Sequence, residues 1–250
     1  MSLAELLKRS YYELSLRIKQ DREARLHYYG PLVRGWLGDA FYKDEMLSSV
    51  LFKNPKIDVR PFFFYTSREG DTIVINLQFM GFSEHFIKEI AVSLGDKVES
   101  HLGGVDCRVE GIRYKEKGFS SKMIEKRFRV DIISPISLFE GEEMHTAPSL
   151  RAIITALVRQ TNKFTKYYVK DVYPIRVGEF KEGKVKEFEI DPFFWRHRNI
   201  RGEVIPLRGV WGWVEYEVDE MAEEMKEVLW LSDFFQIGKW VSYGFGKIEV

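Results

Sequence analysis

The chain has 250 residues, in which 38 Lys and Arg balance 38 Asp and Glu, with 45% hydrophobic and 30% charged residues. Zero net charge excludes a protein that coats nucleic acid or membrane through bulk charge, so any anion must be met locally, and the composition equally excludes a disordered or fibrous chain. The lone cysteine, Cys107, excludes an internal disulfide and a cysteine-based metal site, and with no targeting segment or long apolar run the expectation is a soluble, cytoplasmic protein in a reducing compartment.

Leu14, Leu16 and Ile18 alternate with Glu13, Ser15, Arg17 and Lys19, the two-residue period of a half-buried strand over 13–19. Gly30 and Pro31 then open a helix with the apolar stripe Leu32, Val33, Trp36, Leu37, Ala40 and Phe41. Proline is tolerated there because a first-turn N–H has no intrahelical acceptor to lose. Residues 59–65 and 73–79, separated by Arg68-Glu69-Gly70-Asp71, read as a hairpin. Ser83 caps a second helix bearing Phe86, Ile87, Ile90, Ala91 and Leu94, and 107–114 reads as a further strand. The order is βαββαβ.

The polar, glycine-containing stretch 115–122 has the character of a joint between compact units, dividing the chain into domains 1–120 and 121–250. Beyond it Phe128, Val130 and Ile132 alternate with Arg127, Arg129 and Asp131, and Ser149 opens a helix carrying Leu150, Ile153, Ile154, Leu157 and Val158. Segments around 172–178, 184–190 and 204–218 read as strands, 219–235 as a helix and 247–250 as a last short strand. The pattern again approximates βαββαβ, a unit that lays two helices on one face of a four-stranded antiparallel sheet. The expected class is therefore α+β, with two ferredoxin-like domains in tandem.

Four features could carry chemistry. The loop over 236–246 offers Gly238, Lys239, Ser242, Gly244 and Gly246, which can cradle a phosphate with backbone N–H groups, an ammonium and a hydroxyl; the same glycines also suit a helix cap and a bulge. It is no dinucleotide fingerprint, since it follows a helix and enters a strand. Residues 108–129, which include Arg127 and Arg129, hold eight basic side chains against three acidic ones, while 215–227 hold seven acidic against one basic. Such segregation lets a neutral chain face phosphates on one side, although lysines also guard strand edges. Trp195-Arg196-His197-Arg198-Asn199-Ile200-Arg201 sets guanidinium and aromatic planes together, as single-stranded RNA bases require, or forms a polar loop beside a hairpin. Of five histidines none has metal-ligand spacing, so acid–base chemistry would be metal-free. His27, just before the first helix, is where an imidazole could meet a phosphate drawn to the helix N-terminus; His145 has Glu142 and Glu143 beside it.

In this same order the sequence resembles the CRISPR repeat-processing endoribonucleases of the RAMP superfamily. The residues that carry the resemblance are Gly30-Pro31-Leu32-Val33-Arg34-Gly35, Val59-Arg60-Pro61-Phe62 with Leu77-Gln78-Phe79-Met80-Gly81-Phe82, and Ser134-Pro135-Ile136. They continue with Trp195-Arg196-His197-Arg198, Leu207-Arg208-Gly209-Val210-Trp211-Gly212, and Gly238-Lys239-x-x-Ser242-Tyr243-Gly244-Phe245-Gly246-Lys247. The resemblance implies a RAMP/RRM-like fold that cleaves repeat RNA without metal or cofactor, leaving a 2′,3′-cyclic phosphate and a 5′-hydroxyl. It implies His27 as general base or acid, oriented by Tyr28 or Tyr29, with Tyr28 and Lys239 counted in the catalytic set. RNA contacts would come from Arg34, Arg127, Arg129, Arg196, His197, Arg198, Arg201, Gly238, Ser242, Tyr243 and Gly244. The partners implied are precursor and processed repeat RNA and subunits of a CRISPR effector complex, with a homodimer compatible with the charge segregation and no membrane. Because some members of the family bind repeat RNA without cutting it, a non-catalytic repeat-RNA-binding subunit is the alternative.

Overall fold

The computed structural model describes residues 2–20, 28–42, 44–52, 59–96, 99–102, 105–140, 143–144, 147–169, 174–178, 182–198 and 202–250. A short helix α1 (Leu3–Leu7) comes first, with Ser2 and Glu5 forming a reciprocal capping box. It is followed by β1 (Ser10–Gln20), α2 (Gly30–Tyr42), α3 (Glu45–Leu51), β2 (Phe62–Glu69), β3 (Thr72–Phe79), α4 (Glu84–Gly95), β4 (Glu99–Leu102) and β5 (Val105–Gly118). Their antiparallel sheet has the order β2-β3-β1-β5-β4. Without α1, α3 and β4, which the sequence reading lacks, this is the expected βαββαβ unit. Alternation dictates its core: Leu14, Leu16 and Ile18 of β1 stand beside Ile73, Ile75 and Leu77 of β3 and pack under Val33, Trp36, Leu37 and Phe41 of α2. The Ser83 hydroxyl accepts from the Phe86 N–H and fixes where α4 starts.

The second half runs β6 (Arg127–Ile136), a small pair β7 (Phe139–Glu140) and β8 (Glu143–Met144), α5 (Leu150–Tyr168), β9 (Lys184–Arg198), β10 (Val204–Glu217), α6 (Glu223–Trp230) and β11 (Ile248–Glu249). The antiparallel order β11-β6-β10-β9 repeats the ferredoxin-like plan, so the fold is α+β with two such units in tandem. Residues 174–178, expected as a strand, are irregular because a side chain meets their backbone instead of a ladder. The Asn162 amide donates to the Ile175 carbonyl at 2.9 Å and accepts from its N–H at 2.7 Å. The helix expected over 219–235 contracts to α6 and a 3₁₀ turn at Leu231–Asp233. The β9 strand is far longer than 184–190. No described helix is long and apolar enough to cross a membrane.

The two units share a seam. Phe63 of β2 packs its ring 5.2 Å from Phe234 and 5.5 Å from Phe164, and Leu6, Tyr11 and Met80 belong to the same buried cluster as the second core. A polar layer lies alongside. The Gln78 amide donates to Glu13 and to the Asp233 carbonyl, and Gln236 donates to the Phe64 carbonyl at 2.6 Å. The buried Lys247 ammonium donates to the carbonyls of Ser232 and Asp233 at 2.7 and 2.9 Å. Burial lowers its pKa to about 8. Buried donors on main-chain acceptors have no good alternative partners, so the bonds from Gln78 to Asp233 and from Gln236 to Phe64 tie the two units together.

Candidate functional site

The cleft is closed at its base where the start of α2 meets the glycine loop. At Gly30 a Cβ would fall 2.1 Å from the Tyr243 carbonyl oxygen, so only glycine lets the helix come this close. Just before it, the Tyr28 hydroxyl donates to that same carbonyl at 3.2 Å while its ring packs edge-on against Phe193 and Phe245. Burial pushes the Tyr28 pKa well above its ordinary value of 10.0. Gly244 follows with φ +81°, where an added Cβ would meet the Tyr28 hydroxyl and the Phe64 ring at 2.7 and 2.8 Å. The loop is also tied to the Ser-Pro turn ending β6. Lys239 N–H donates to the Ser137 carbonyl, Gly246 N–H to that of Pro135, and Lys247 N–H to the Ser134 hydroxyl.

On this frame Tyr243 collects side chains from three segments. The Arg34 guanidinium of α2 lies 4.3 Å from the centre of its ring, the His197 imidazole of β9 stands edge-on at 5.0 Å, and Trp240 lies at 6.1 Å. A guanidinium over an aromatic face is held in place without losing its charge. Partial burial, and then the charge of Arg34, lower the His197 pKa from 6.5, so the imidazole is mainly neutral at pH 7. Lys239 lies at the lip of the loop with its ammonium 4.2 Å from the centre of the Phe139 ring. Ser242 and Gly238 complete the same wall.

Of the residues expected from sequence, the structure therefore brings together Tyr28, Arg34, His197, Gly238, Lys239, Ser242, Tyr243 and Gly244. Others lie elsewhere. Strand alternation turns His197 toward the loop and leaves Arg196 and Arg198 exposed on the other side of β9, where Arg196 and Arg208 flank Phe194 at 5.9 and 5.8 Å. Arg127 and Arg129 sit at the far end of β6, roughly 26 and 20 Å along the strand from Pro135 at about 3.3 Å per residue. They are paired with Glu215 and Asp131, and Arg129 also lies 4.4 Å from the Trp213 ring. The basic run 108–129 is thus no bare stripe, because pairing brings it acids that a sequence window cannot see: Lys117 meets Glu13 at 2.6 Å and Arg127 meets Glu215, while within the run Arg108 meets Glu110 at 3.7 Å. His27 and Arg201 lie outside the described residues. The cleft also recruits Arg60, Gln160, Lys163 and Trp240, absent from the sequence-based set. Arg60 and Trp240 fall in segments the sequence singles out, 59–62 and 236–246, though neither as a site residue, and Gln160 and Lys163 show a three-residue spacing that puts both on one face of α5.

Residues 130–248 match the family model of the CRISPR-associated endoribonuclease Cas6. No curated protein matches the chain in sequence. Among solved structures, a Cas6 product complex shares the fold at TM-score 0.65 and 14% identity, over 96% of this chain and 98% of that one. The Cas6 of Thermus thermophilus does so at TM-score 0.62 and 12% identity, over 96% and 98%. A protein of a Cas6-related gene from Pyrococcus furiosus follows at TM-score 0.51 and 16% identity, with the same coverage of 96% and 98%. The sequence pattern of the CRISPR-associated endoribonuclease Cas6 thus lies in residues 130–248, which hold the glycine loop, and the fold of the Cas6 structures extends along nearly the whole chain.

Proposed function

We propose that this chain binds CRISPR repeat RNA and cuts precursor transcripts within the repeat, at the cleft where α2 meets the glycine loop. The observation that carries this reading is the convergence on Tyr243 of Arg34 from α2 and His197 from β9, beside Lys239, with Tyr243, His197 and Lys239 all in the segment that bears the family pattern. The reaction suited to these groups is transesterification. The 2′-oxygen attacks the adjacent phosphorus, the bond to the 5′-oxygen breaks, a base accepts the 2′-hydroxyl proton and an acid delivers one to the departing oxygen. The products are a 2′,3′-cyclic phosphate and a 5′-hydroxyl. Neither a redox partner nor a metal is needed for that balance.

In this reading His27 exchanges the proton. Lys239 and Arg34 stabilise the charge that builds on the phosphorane, and the loop backbone at Gly238, Ser242 and Gly244 follows the RNA strand. Tyr28, buried and bonded to the Tyr243 carbonyl, holds the loop against α2, and neutral His197 offers the RNA a hydrogen bond. Arg196, Arg198 and Arg201, with Arg127 and Arg129, contact RNA remote from the reacting phosphate, and the product passes to effector-complex subunits. The test is to offer the protein its own genome's repeat RNA and a scrambled RNA of equal length. Tighter binding of the repeat, an affinity that falls steeply with salt, and cleavage at one position are expected. Equal binding of both RNAs would overturn the reading, and tight binding with intact RNA would leave a carrier in place of a nuclease.

A further inference from the structure

In an in-line transesterification the attacking 2′-oxygen and the departing 5′-oxygen stand on opposite sides of the phosphorus, so one side chain cannot serve both and two proton carriers are needed. Strand alternation brings a second imidazole to the cleft. Phe193, Trp195 and His197 share one face of β9, and Phe193 anchors that face by packing edge-on against Tyr28 and Phe245 at 5.6 and 5.4 Å. His197, paired across the ladder with Ile205 of β10, therefore reaches Tyr243 on a strand, a more rigid support than a loop.

The surroundings of His197 suit a base. Arg34 of α2 and the imidazole lie 4.3 and 5.0 Å from the centre of the same Tyr243 ring, and the guanidinium charge acts on the imidazole directly. The groups facing His197 are thus Arg34 from α2, the Tyr243 phenol from the glycine loop and the apolar Ile205 from β10. Among the described residues no carboxylate holds it protonated, and neither ring nitrogen has a hydrogen-bond partner, so a neutral imidazole keeps a lone pair ready at pH 7. The 2′-hydroxyl belongs to the nucleotide whose own phosphate is attacked. A base beside Arg34 is therefore where that hydroxyl falls when Arg34 holds the phosphate.

We infer that His197 is the general base of the cleavage. One of its ring nitrogens takes the 2′-hydroxyl proton as the 2′-oxygen bonds to phosphorus, the bond from phosphorus to the 5′-oxygen breaks, and the departing oxygen receives its proton from the acid, the role left to His27. The His197 imidazolium then returns its proton to water. The inference rests on the repeat-RNA reading above. The experiment measures single-turnover cleavage of repeat RNA, and of the same RNA with sulfur replacing the 5′-oxygen at the cut, by the wild type, His197→Ala and His197→Gln, with RNA binding measured in parallel. Sulfur departs without a proton, so it relieves the need for an acid and leaves the need for a base. Both variants should bind RNA within a few-fold of the wild type, cut it roughly a hundredfold more slowly or worse, and stay slow on the sulfur RNA. The wild-type rate should fall on acidification with a midpoint below pH 6.5, and both variants should lose that limb. A normal rate in His197→Gln would make the residue a mere contact, and rescue of His197→Ala by sulfur would make it the acid. Slow cleavage explained by lost binding would equally overturn the inference, and in all three cases the repeat reading stands. If the wild type neither prefers repeat RNA nor cuts it, that reading falls and this inference with it.

Discussion

The Tyr28 hydroxyl donates to the Tyr243 carbonyl across 3.2 Å, joining residues 215 apart in sequence at the point where the first unit's helix meets the second unit's loop. The contact is buried among Phe193, Leu207 and Phe245, so it fixes the loop instead of facing solvent. The two cations proposed to stabilise the phosphorane flank that joint, Arg34 on one side and Lys239 on the other, with His197 beside Tyr243.

Tyr28→Phe keeps the ring packing and leaves the Tyr243 carbonyl without its donor. A loss of about 1–2 kcal/mol in urea unfolding is expected, with cleavage changed only a few-fold and its pH profile unmoved. A hundredfold loss of cleavage with unaltered stability would make the hydroxyl a proton carrier instead.

Gly244→Ala places a Cβ on a left-handed backbone and against both Tyr28 and Phe64. The expected cost is about 2 kcal/mol or more, seen as a lowered midpoint in thermal unfolding, and Tyr28→Phe in the same chain should recover only part of it because Phe64 remains.

Lys247 ties stability to pH. Its folded pKa of about 8 lies below the roughly 10.4 of an unfolded lysine, so between those values the unfolded chain binds the extra proton. Stability from this group is therefore lowest below pH 8 and rises toward pH 10, by up to about 3 kcal/mol. Tyr11 and Tyr65, whose pKa values are pushed up chiefly by burial, stay protonated across that window. Urea unfolding at pH 7.5 and 9.5 should show the rise in the wild type, and Lys247→Met should flatten it.

The imidazole of His197 should titrate below 6.5 by NMR, first because it is partly buried and second because of Arg34. Arg34→Ala should move it upward without restoring the full value, since burial remains. An unchanged titration would separate the two residues in solution.

Much of this plan is legible in the sequence because single-residue periodicity reports one-sided burial directly. Leu14, Leu16 and Ile18, or Phe128, Val130 and Ile132, announce their strands, and the glycine loop announces a tight backbone. What stays hidden depends on partners far along the chain. Asn162 absorbs the backbone groups that would have made 174–178 a strand, and Glu215 and Glu13 neutralise cations that look free in a linear window. Arg60 is equally silent as a site residue, since a lone arginine before a proline carries no sign that it will face α5 across a cleft. Alternation along β9, once the strand's true length is known, separates His197 from Arg196 and Arg198, which the sequence run groups together.

The central claim is a metal-independent cut that uses the RNA's own 2′-hydroxyl, and end-group analysis tests it most directly. The purified protein is incubated with end-labelled repeat RNA in excess EDTA, and the 3′ end of the upstream fragment is examined for a cyclic phosphate. The account predicts one cleavage site bearing that end, with both lost in His27→Ala while RNA binding persists. RNA that is bound yet uncut, or a fragment ending in a 3′-hydroxyl, would contradict it.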